Sequence, residues 1–385
     1  MIGADYIDHQ SRASSKPKAP VKLFFPNGSI AFPPSNGPHI HKYQLTRNLT
    51  ALGYTITTFT LDQNPDVRHV PKRPLSIFRT VRESDVIYVR TGEGVSYATR
   101  LTSPTMRKLI PTRTAVIWEM NLDVELHVRR VPRSERDVVR DVRELRRQAE
   151  RVDAAICVTG AIAEQASTLL RIEHVYTLQN GSDPDMFRPD LPGVSFDSDG
   201  MLPRPLNVAW IASEANAIHD AALIVELAAM IEQRNLPLRI HAIGDTAALF
   251  PRRVPSSAII HGPVSYLDLP RYLASMDVGL VLYNIRYDGG SPLKLFDYCA
   301  SGCVPICSPG RGIEEVLEGT DVGYVQWWTA ESLCEILEQL RREPPRLQAM
   351  ATRARELVEQ RYNWKTIAAR TDEIIRESVS RRLQK

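Results

Sequence analysis

The stretch Asp288-Gly-Gly-Ser-Pro-Leu-Lys-Leu-Phe-Asp-Tyr-Cys-Ala-Ser-Gly-Cys-Val-Pro-Ile-Cys307 decides how this 385-residue sequence is read. A flexible loop at Gly289 and Gly290 runs into Ser291-Pro292, a favoured N-cap followed by a favoured first helical residue. Free backbone N–H groups and the positive end of the helix dipole make such a start an anion site. Lys294 on the first turn adds a full charge, and a diphosphate fits there. Asp297, one turn beyond Lys294, is placed to accept hydrogen bonds from a ribose diol. The plainer alternative is a capped helix with its lysine in solvent. After Gly302 the apolar run Val304–Cys307 reads as a strand, so the segment is a helix feeding a sheet.

Working outward, the same rhythm repeats. On the N-terminal side, Leu206–Ile211, Leu238–Ile243, Ala258–Ile260 and Val278–Leu282 read as strands, with helices over 220–233 and 267–275. Beyond Cys307 come a helix over 312–318 and about 50 helical residues. The first half alternates likewise, with strands at Val21–Phe25, Tyr54–Phe59, Asp85–Val89, Thr114–Trp118, Ala154–Val158 and His174–Leu178. Helices are expected over 40–52 and 161–170. Pro189–Pro205, dense in Pro, Gly, Asp and Ser, reads as a linker. Repeated β-then-α units imply two α/β domains with parallel sheets covered on both faces. The ligand cleft of such a pair lies between the sheets, at the C-terminal ends of the strands.

Composition narrows the function. Hydrophobic residues make up 43% and charged residues 24%, the balance of a soluble globular protein. The formal charge of +3 is too small to advertise nucleic-acid binding, so no nucleic-acid partner is expected. Five cysteines without paired spacing read as reduced thiols of a cytoplasmic protein; Cys299, Cys303 and Cys307 are expected to be buried rather than metal-bound. Residues 1–20 read as a disordered lead-in without an apolar signal core, and no run of about 18 apolar residues suggests a membrane span.

Two common nucleotide fingerprints are missing. The loop after the first strand, Asn27–Gly37, has no G-x-G-x-x-G, and no G-x-x-x-x-G-K-[ST] occurs. The Asp288–Cys307 segment instead resembles the sugar-nucleotide loop and helix of retaining glycosyltransferases of the family 4 type, whose relatives read S-P-x-K-x-x-E-Y-x-A-x-G-x-P-V. Asn180–Pro189 resembles that family's N-G-V-D-x-x-x-F-x-P, and Gly262-Pro-Val264 with 269–278 its nucleobase-side loop and helix. Gly312–Val316 resembles its G-x-x-E-V, and Tyr362-Asn-Trp364 opens a last helix in the family's manner. The resemblance implies the GT-B fold, two Rossmann-like domains facing across a cleft. It divides the chain into an acceptor-side domain over 21–200, a sugar-nucleotide domain over 201–362, and a C-terminal helix over 363–385 that packs back on the first domain.

The resemblance also implies site residues, with two departures. Asp297 stands at the second acid of the family's E-x7-E, but the first acid is Gly289. Two substitutes are open: Asp288 one residue earlier, or the backbone N–H groups of Gly289 and Gly290. Relatives also place an Arg and a Lys after the first strand of the second domain, where Ser213–Asp220 offers only His219. Lys294, then Arg286, are the cations left to face the diphosphate. The donor is therefore expected against Gly37, Val264, Arg286, Gly289, Gly290, Ser291, Pro292, Leu293, Lys294 and Asp297. Asp288, Lys294, Glu119 and His39 are the expected catalytic groups, Glu119 on the acceptor side. Arg90, Thr91 and Glu93 end a strand facing the cleft and read the acceptor, and Asn121 follows the strand where relatives place a His against the donor sugar.

The implied activity is transfer of a sugar from a nucleoside-diphosphate sugar, with retention, to a glycan, lipid-linked or small-molecule acceptor, as in polysaccharide or glycoconjugate synthesis. No metal or other cofactor is required by that plan, and Asp197-Ser-Asp199, formally a D-x-D, falls in the linker. Residues 128–151 hold nine Arg and five acids around Val138, Val139, Val142 and Leu145. That basic amphipathic stretch is either a solvated face laced with ion pairs or a peripheral contact with an anionic membrane. Two other functions stay open: a catalytically silent partner that binds a sugar nucleotide or glycan, and a sugar-nucleotide epimerase.

Overall fold

The computed structural model describes residues 20–27, 30–59, 64, 66–91, 97–122, 134–196, 204–213 and 217–384. Residues 1–19 of the expected lead-in, Glu93, the arginines at 129, 130 and 133, and Asp197–Asp199 lie outside the described residues.

The first domain carries β1 (Lys22–Phe25), α1 (Gly37–Ala51), β2 (Thr55–Thr58), β3 (Arg68–His69), α2 (Pro74–Glu83), β4 (Val86–Thr91), α3 (Tyr97–Leu101), α4 (Pro104–Arg107), β5 (Ala115–Met120), α5 (Glu135–Ala149), β6 (Ala154–Cys157), α6 (Gly160–Thr168) and β7 (Val175–Thr177). The second carries β8 (Leu206–Ile211), α7 (Ala221–Gln233), β9 (Leu238–Ile243), β10 (Ala258–Gly262), α8 (Leu269–Leu273), β11 (Val278–Val281), α9 (Leu293–Ala300), β12 (Val304–Cys307), α10 (Arg311–Leu317), β13 (Tyr324–Val325), α11 (Ala330–Arg342) and α12 (Pro344–Arg361). The closing helix is α13 (Trp364–Leu383).

The first sheet has the order β3-β2-β1-β4-β5-β6-β7 and the second β10-β9-β8-β11-β12-β13. Every pairing in both is parallel. Both faces of each sheet are covered, which is why β4 and β5 are buried along their whole length. Leu45 and Leu49 of α1 pack on one face of the first sheet together with Trp364, Ile367, Ile374 and Ile375 of α13. Leu145 and Ala149 of α5 and Ile162 of α6 pack on the other. In the second domain α7 and α11 share one core, and α9, α10 and α12 the other. All five cysteines are free and buried.

The chain crosses between domains twice, side by side. Ser182 donates its N–H to the Tyr362 carbonyl at 2.9 Å, and Trp364 donates back to the Ser182 carbonyl at 3.1 Å. A Cβ on Gly181 would lie 2.1 Å from the Tyr362 carbonyl oxygen, so the crossing needs glycine there. Phe187, fully buried, already belongs to the core of the second domain. The strand order reverses between β1 and β4 and between β8 and β11. At such switch points the loops part and leave a crevice at the strands' C-terminal ends.

Several local expectations are corrected. Helix α1 begins at Gly37 rather than 40, because Asn36 caps it by accepting from the His39 N–H. Strands β4 and β5 run on to Thr91 and Met120, so Arg90 and Glu119 are strand residues and not loop residues. Ser291 does not cap α9: Pro292 occupies that position with no side-chain capping bond.

Candidate functional site

A cavity of about 650 Å³ opens between the domains at both switch points. The second domain contributes Ile211–Ser213, Ile218 and His219 after β8, Gly244 and Asp245 after β9, and Pro263 and Val264 after β10. After β11 come Tyr283, Tyr287 and the Gly290–Lys294 turn, with Asp297 behind it. The first domain contributes Pro34–Pro38 at the start of α1, then Arg90, Asn121 and Leu122 at the ends of β4 and β5.

Lys294 is the second-domain cation at the cavity. Its Nζ donates to the Ile211 carbonyl at 2.7 Å, stands 3.1 Å from His219 Nε2, and lies over the Tyr283 ring. The Ser213 backbone N–H points at His219 Nδ1 at 3.2 Å, which assigns the ring proton to Nε2. That Nε2–H faces the Lys294 nitrogen, an arrangement satisfied when the amine is neutral. Burial lowers the Lys294 pKa to about 7. Burial, and then the Lys294 charge, lowers His219 to about 3, so His219 is neutral at physiological pH.

Asp297, 4% exposed, lies one helical turn from Lys294 on α9 and does not pair with it. It accepts the Ser182 hydroxyl at 2.6 Å. Burial raises its pKa to about 7, with the Ser182 hydrogen bond opposing and the Asp183 charge adding. Tyr266 closes the wall near it and accepts a hydrogen bond at 3.1 Å from Gln44 of α1, a direct tie across the cleft.

Gly37, Val264, Gly290, Ser291, Pro292, Leu293, Lys294 and Asp297 thus converge on one cavity. Gly289 is buried but does not line it. A Cβ on Gly290 would fall 2.4 Å from Tyr287 Oη, so any side chain there requires that ring to shift. Arg286 and Asp288 turn away from the cavity. Arg286 forms a two-pronged pair with Glu314 at 2.9 and 2.6 Å, and Asp288 accepts the Arg311 N–H at 2.9 Å at the start of α10. They also pair with each other. The Arg286 charge is taken up by two carboxylates, and the Asp288 carboxylate holds the loop down on α10.

Glu119 and His39 are also placed elsewhere. His39 is half-buried outside the cavity, with Nδ1 3.0 Å from the Ser35 hydroxyl. Glu119, 2% exposed, sits behind the cavity wall between His41 Nε2 at 2.5 Å and Arg90 at 2.9 Å. Burial opposes its ionisation, but His41, Arg90 and a hydrogen bond from Tyr88 outweigh that and hold it at about 2. Of Arg90, Thr91 and Asn121, Arg90 and Asn121 reach the cavity, and Arg90 Nη2 donates to the Asn121 side-chain oxygen at 2.8 Å. Glu93 lies outside the described residues.

His41, Asn180, Ser182 and the tyrosines at 266, 283 and 287 are the site residues that sequence reasoning missed. Asn180 and Ser182 both lie in the Asn180–Pro189 segment that resembles the family motif, and that resemblance was the signal that pointed to them.

Comparison with known proteins bears on the fold. Residues 223–373 match a family model described as glycosyl transferase-like. No curated protein matches the sequence. Among solved structures, Alr3699/HepE of Anabaena in complex with UDP and glucose superposes with a TM-score of 0.66 at 14% identity, covering 93% of this chain and 100% of that one. A glycosyltransferase of Rickettsia africae gives 0.68 at 11% identity, covering 94% and 99%. WaaG, a glycosyltransferase involved in lipopolysaccharide biosynthesis, gives 0.65 at 13% identity, covering 92% and 99%. The chain therefore has the GT-B fold, and its second domain carries a glycosyl transferase-like segment.

Proposed function

We propose that the protein is a glycosyltransferase that moves a sugar from a nucleoside-diphosphate sugar to a glycan, lipid-linked or small-molecule acceptor, with retention and without a metal ion. One observation carries the reading. The first turn of α9 opens onto the interdomain cavity with Lys294 and Asp297 one turn apart, a cation for a diphosphate and a carboxylate for a ribose diol. The Anabaena structure, which contains UDP and glucose, supports a sugar-nucleotide donor.

In this reading the nucleobase lies against Val264 and the ribose against Asp297. The diphosphate lies across the Gly290–Lys294 turn and the α1 N-terminus at Gly37, whose first turn carries no acid to repel it. Charge develops on the diphosphate as the sugar–oxygen bond breaks, and Lys294 with the backbone N–H groups stabilises it. The departing diphosphate oxygen takes the acceptor's proton on the same face of the sugar, so a strong protein base is not needed. Arg90 and Asn121 then face the acceptor.

The test is turnover. The protein is incubated with UDP-, GDP-, ADP- and TDP-sugars with and without EDTA, and the anomeric coupling of the product is read by NMR. Retained configuration, insensitive to EDTA, supports the proposal; inversion or dependence on metal contradicts it. Gly289 at the first acid position, with Asp288 and Arg286 turned away, favours one second reading, a partner that binds the nucleotide silently. Binding without any turnover selects it.

Peripheral membrane contact through the 128–151 segment belongs to the same proposal. It is supported by Val139, about half exposed on α5 beside Arg136, Arg140 and Arg143. Co-sedimentation with phosphatidylglycerol vesicles but not phosphatidylcholine vesicles tests it. Among the described residues, no helix is long and apolar enough to cross a membrane.

A further inference from the structure

A buried polar chain runs from the first domain to the loop that opens α9. Arg90 Nη1 contacts Glu119 Oε1 at 2.9 Å, and the same oxygen meets His41 Nε2 at 2.5 Å. His41 Nδ1 lies 2.7 Å from Asn180 Oδ1. The Asn180 Nδ2 donates to the Ser291 carbonyl at 2.6 Å, and its backbone N–H donates to the Ser291 hydroxyl at 3.2 Å. Each link crosses a long stretch of sequence, and these side chains are all buried.

The hydrogen-bond roles along this chain follow from one another. Asn180 Nδ2 is committed to a carbonyl, so its Oδ1 is an acceptor and His41 Nδ1 must carry a proton. His41 Nε2 lies 2.5 Å from Glu119 Oε1; burial and the neighbouring Arg90 charge lower the His41 pKa, while the Glu119 charge raises it. The imidazole is held through Nδ1, and its ring packs edge-on against Trp364 with centroids 5.0 Å apart. These contacts hold the ring, and the Asn180 carboxamide is engaged at both its oxygen and its nitrogen. Ser291, gripped at both its carbonyl and its hydroxyl, is the residue before the Pro292–Lys294 turn.

We propose that His41 is a positioning residue for the phosphate-facing turn, acting through Asn180 on Ser291. The Ser291–Lys294 backbone is presented to the cavity in one conformation because His41 Nδ1–H fixes the carboxamide that clamps it. This rests on reading the cavity as a nucleoside-diphosphate site. It implies that the first domain orders the donor loop of the second without touching the donor through this residue.

Asparagine and glutamine at position 41 separate the two ends of the imidazole. His41→Asn places an amide N–H near the Nδ1 position and abandons Glu119; His41→Gln reaches toward Glu119 and abandons Asn180. Both lose the ring and its packing on Trp364, so each controls for the other's loss of stability, read by thermal melting. The readout is the affinity ratio of UDP to uridine, and of GDP, ADP and TDP to their nucleosides. The base and ribose do not need Ser291, so nucleoside affinity stays constant while the diphosphate contribution changes.

The expected result is a ratio about tenfold smaller in His41→Gln and in Asn180→Ala, retained in His41→Asn, and no smaller in the His41→Gln/Asn180→Ala double variant than in either single one. Equal ratios in wild type and His41→Gln, with diphosphate binding intact, overturn the positioning role alone. A wild-type protein that binds no nucleoside diphosphate more tightly than its nucleoside overturns the donor-site reading itself.

Discussion

Lys294 Nζ and His219 Nε2 stand 3.1 Å apart, with the Lys294 nitrogen also 2.7 Å from the Ile211 carbonyl. His219 is turned by the Ser213 N–H so that its own proton faces the amine. The cation expected at the diphosphate is therefore held, in the free protein, where its charged form is disfavoured. Burial brings its pKa to about 7, near the working pH.

A pH dependence follows. A diphosphate beside Lys294 favours the ammonium and raises its pKa again. Below pH 7 the lysine is already charged and binding takes up little proton there. Above pH 7 the free amine must gain a proton on binding, so affinity falls by about tenfold per pH unit. Calorimetry at pH 8 in buffers of different ionisation enthalpy should show proton uptake about one greater in the wild type than in Lys294→Met. Equal uptake in the two proteins contradicts the account.

Asp297 should trade stability for binding. Its folded pKa of about 7 exceeds the ordinary carboxylate value, so the folded state binds more protons than the unfolded state between about pH 4 and 7. Stability from this group is present below that window and is lost as pH rises through it. Asp297→Asn removes the penalty while its side-chain oxygen still accepts from Ser182. Its melting temperature should exceed wild type at pH 8 and match it near pH 4, while nucleoside affinity falls by about 100-fold. Unchanged uridine affinity contradicts the ribose role.

The domains should loosen when Glu315 is removed. Its carboxylate on α10 accepts the Gly160 N–H at 2.9 and 3.2 Å, at the start of α6 in the other domain, and the Gln179 side-chain amide at 2.8 Å. It thereby accepts a first-turn N–H of a helix across the cleft whose N-cap is Thr159. Glu315→Ala should widen the free protein in small-angle scattering, with the difference vanishing on nucleotide binding. An unchanged radius of gyration argues against the contact as a domain clasp.

Gly290 should tolerate no side chain unless Tyr287 yields. Gly290→Ala places a methyl 2.4 Å from Tyr287 Oη and should weaken nucleoside-diphosphate binding about tenfold. Adding Tyr287→Leu should restore most of it. Failure of the second change to rescue binding shows that the ring is not what the glycine accommodates.

What was legible in the sequence was local. The strands 206–211, 238–243 and 304–307 have the bounds that their apolar runs indicate, because buried parallel strands are continuous hydrophobic segments. The edge strands at 68–69 and 324–325 and the short helices between 74 and 107 were not read. The edge strands and the helices 97–101 and 104–107 are too short to show a period, whereas Pro74–Glu83 carries Leu75, Phe78 and Val81 at helical spacing and was missed. Ser291 has the residue type of a cap, but its hydroxyl is taken by a backbone N–H 111 residues earlier, which no local pattern reports. Asp288 and Glu119 are acids at strand and loop ends, where catalytic acids occur. Their carboxylates are turned to Arg311 and to His41 and Arg90, partners distant in sequence. Lys294 and Asp297 were legible because one helical turn alone fixes their spacing.

The most direct test of the central claim is calorimetric titration of the protein with UDP, GDP, ADP and TDP at pH 7, in the wild type and in Lys294→Met. The account expects one of them to bind the wild type, and expects that binding to weaken at least tenfold in the variant. No binding by any of the four, or equal binding with and without Lys294, would contradict the reading of this cavity as a sugar-nucleotide site.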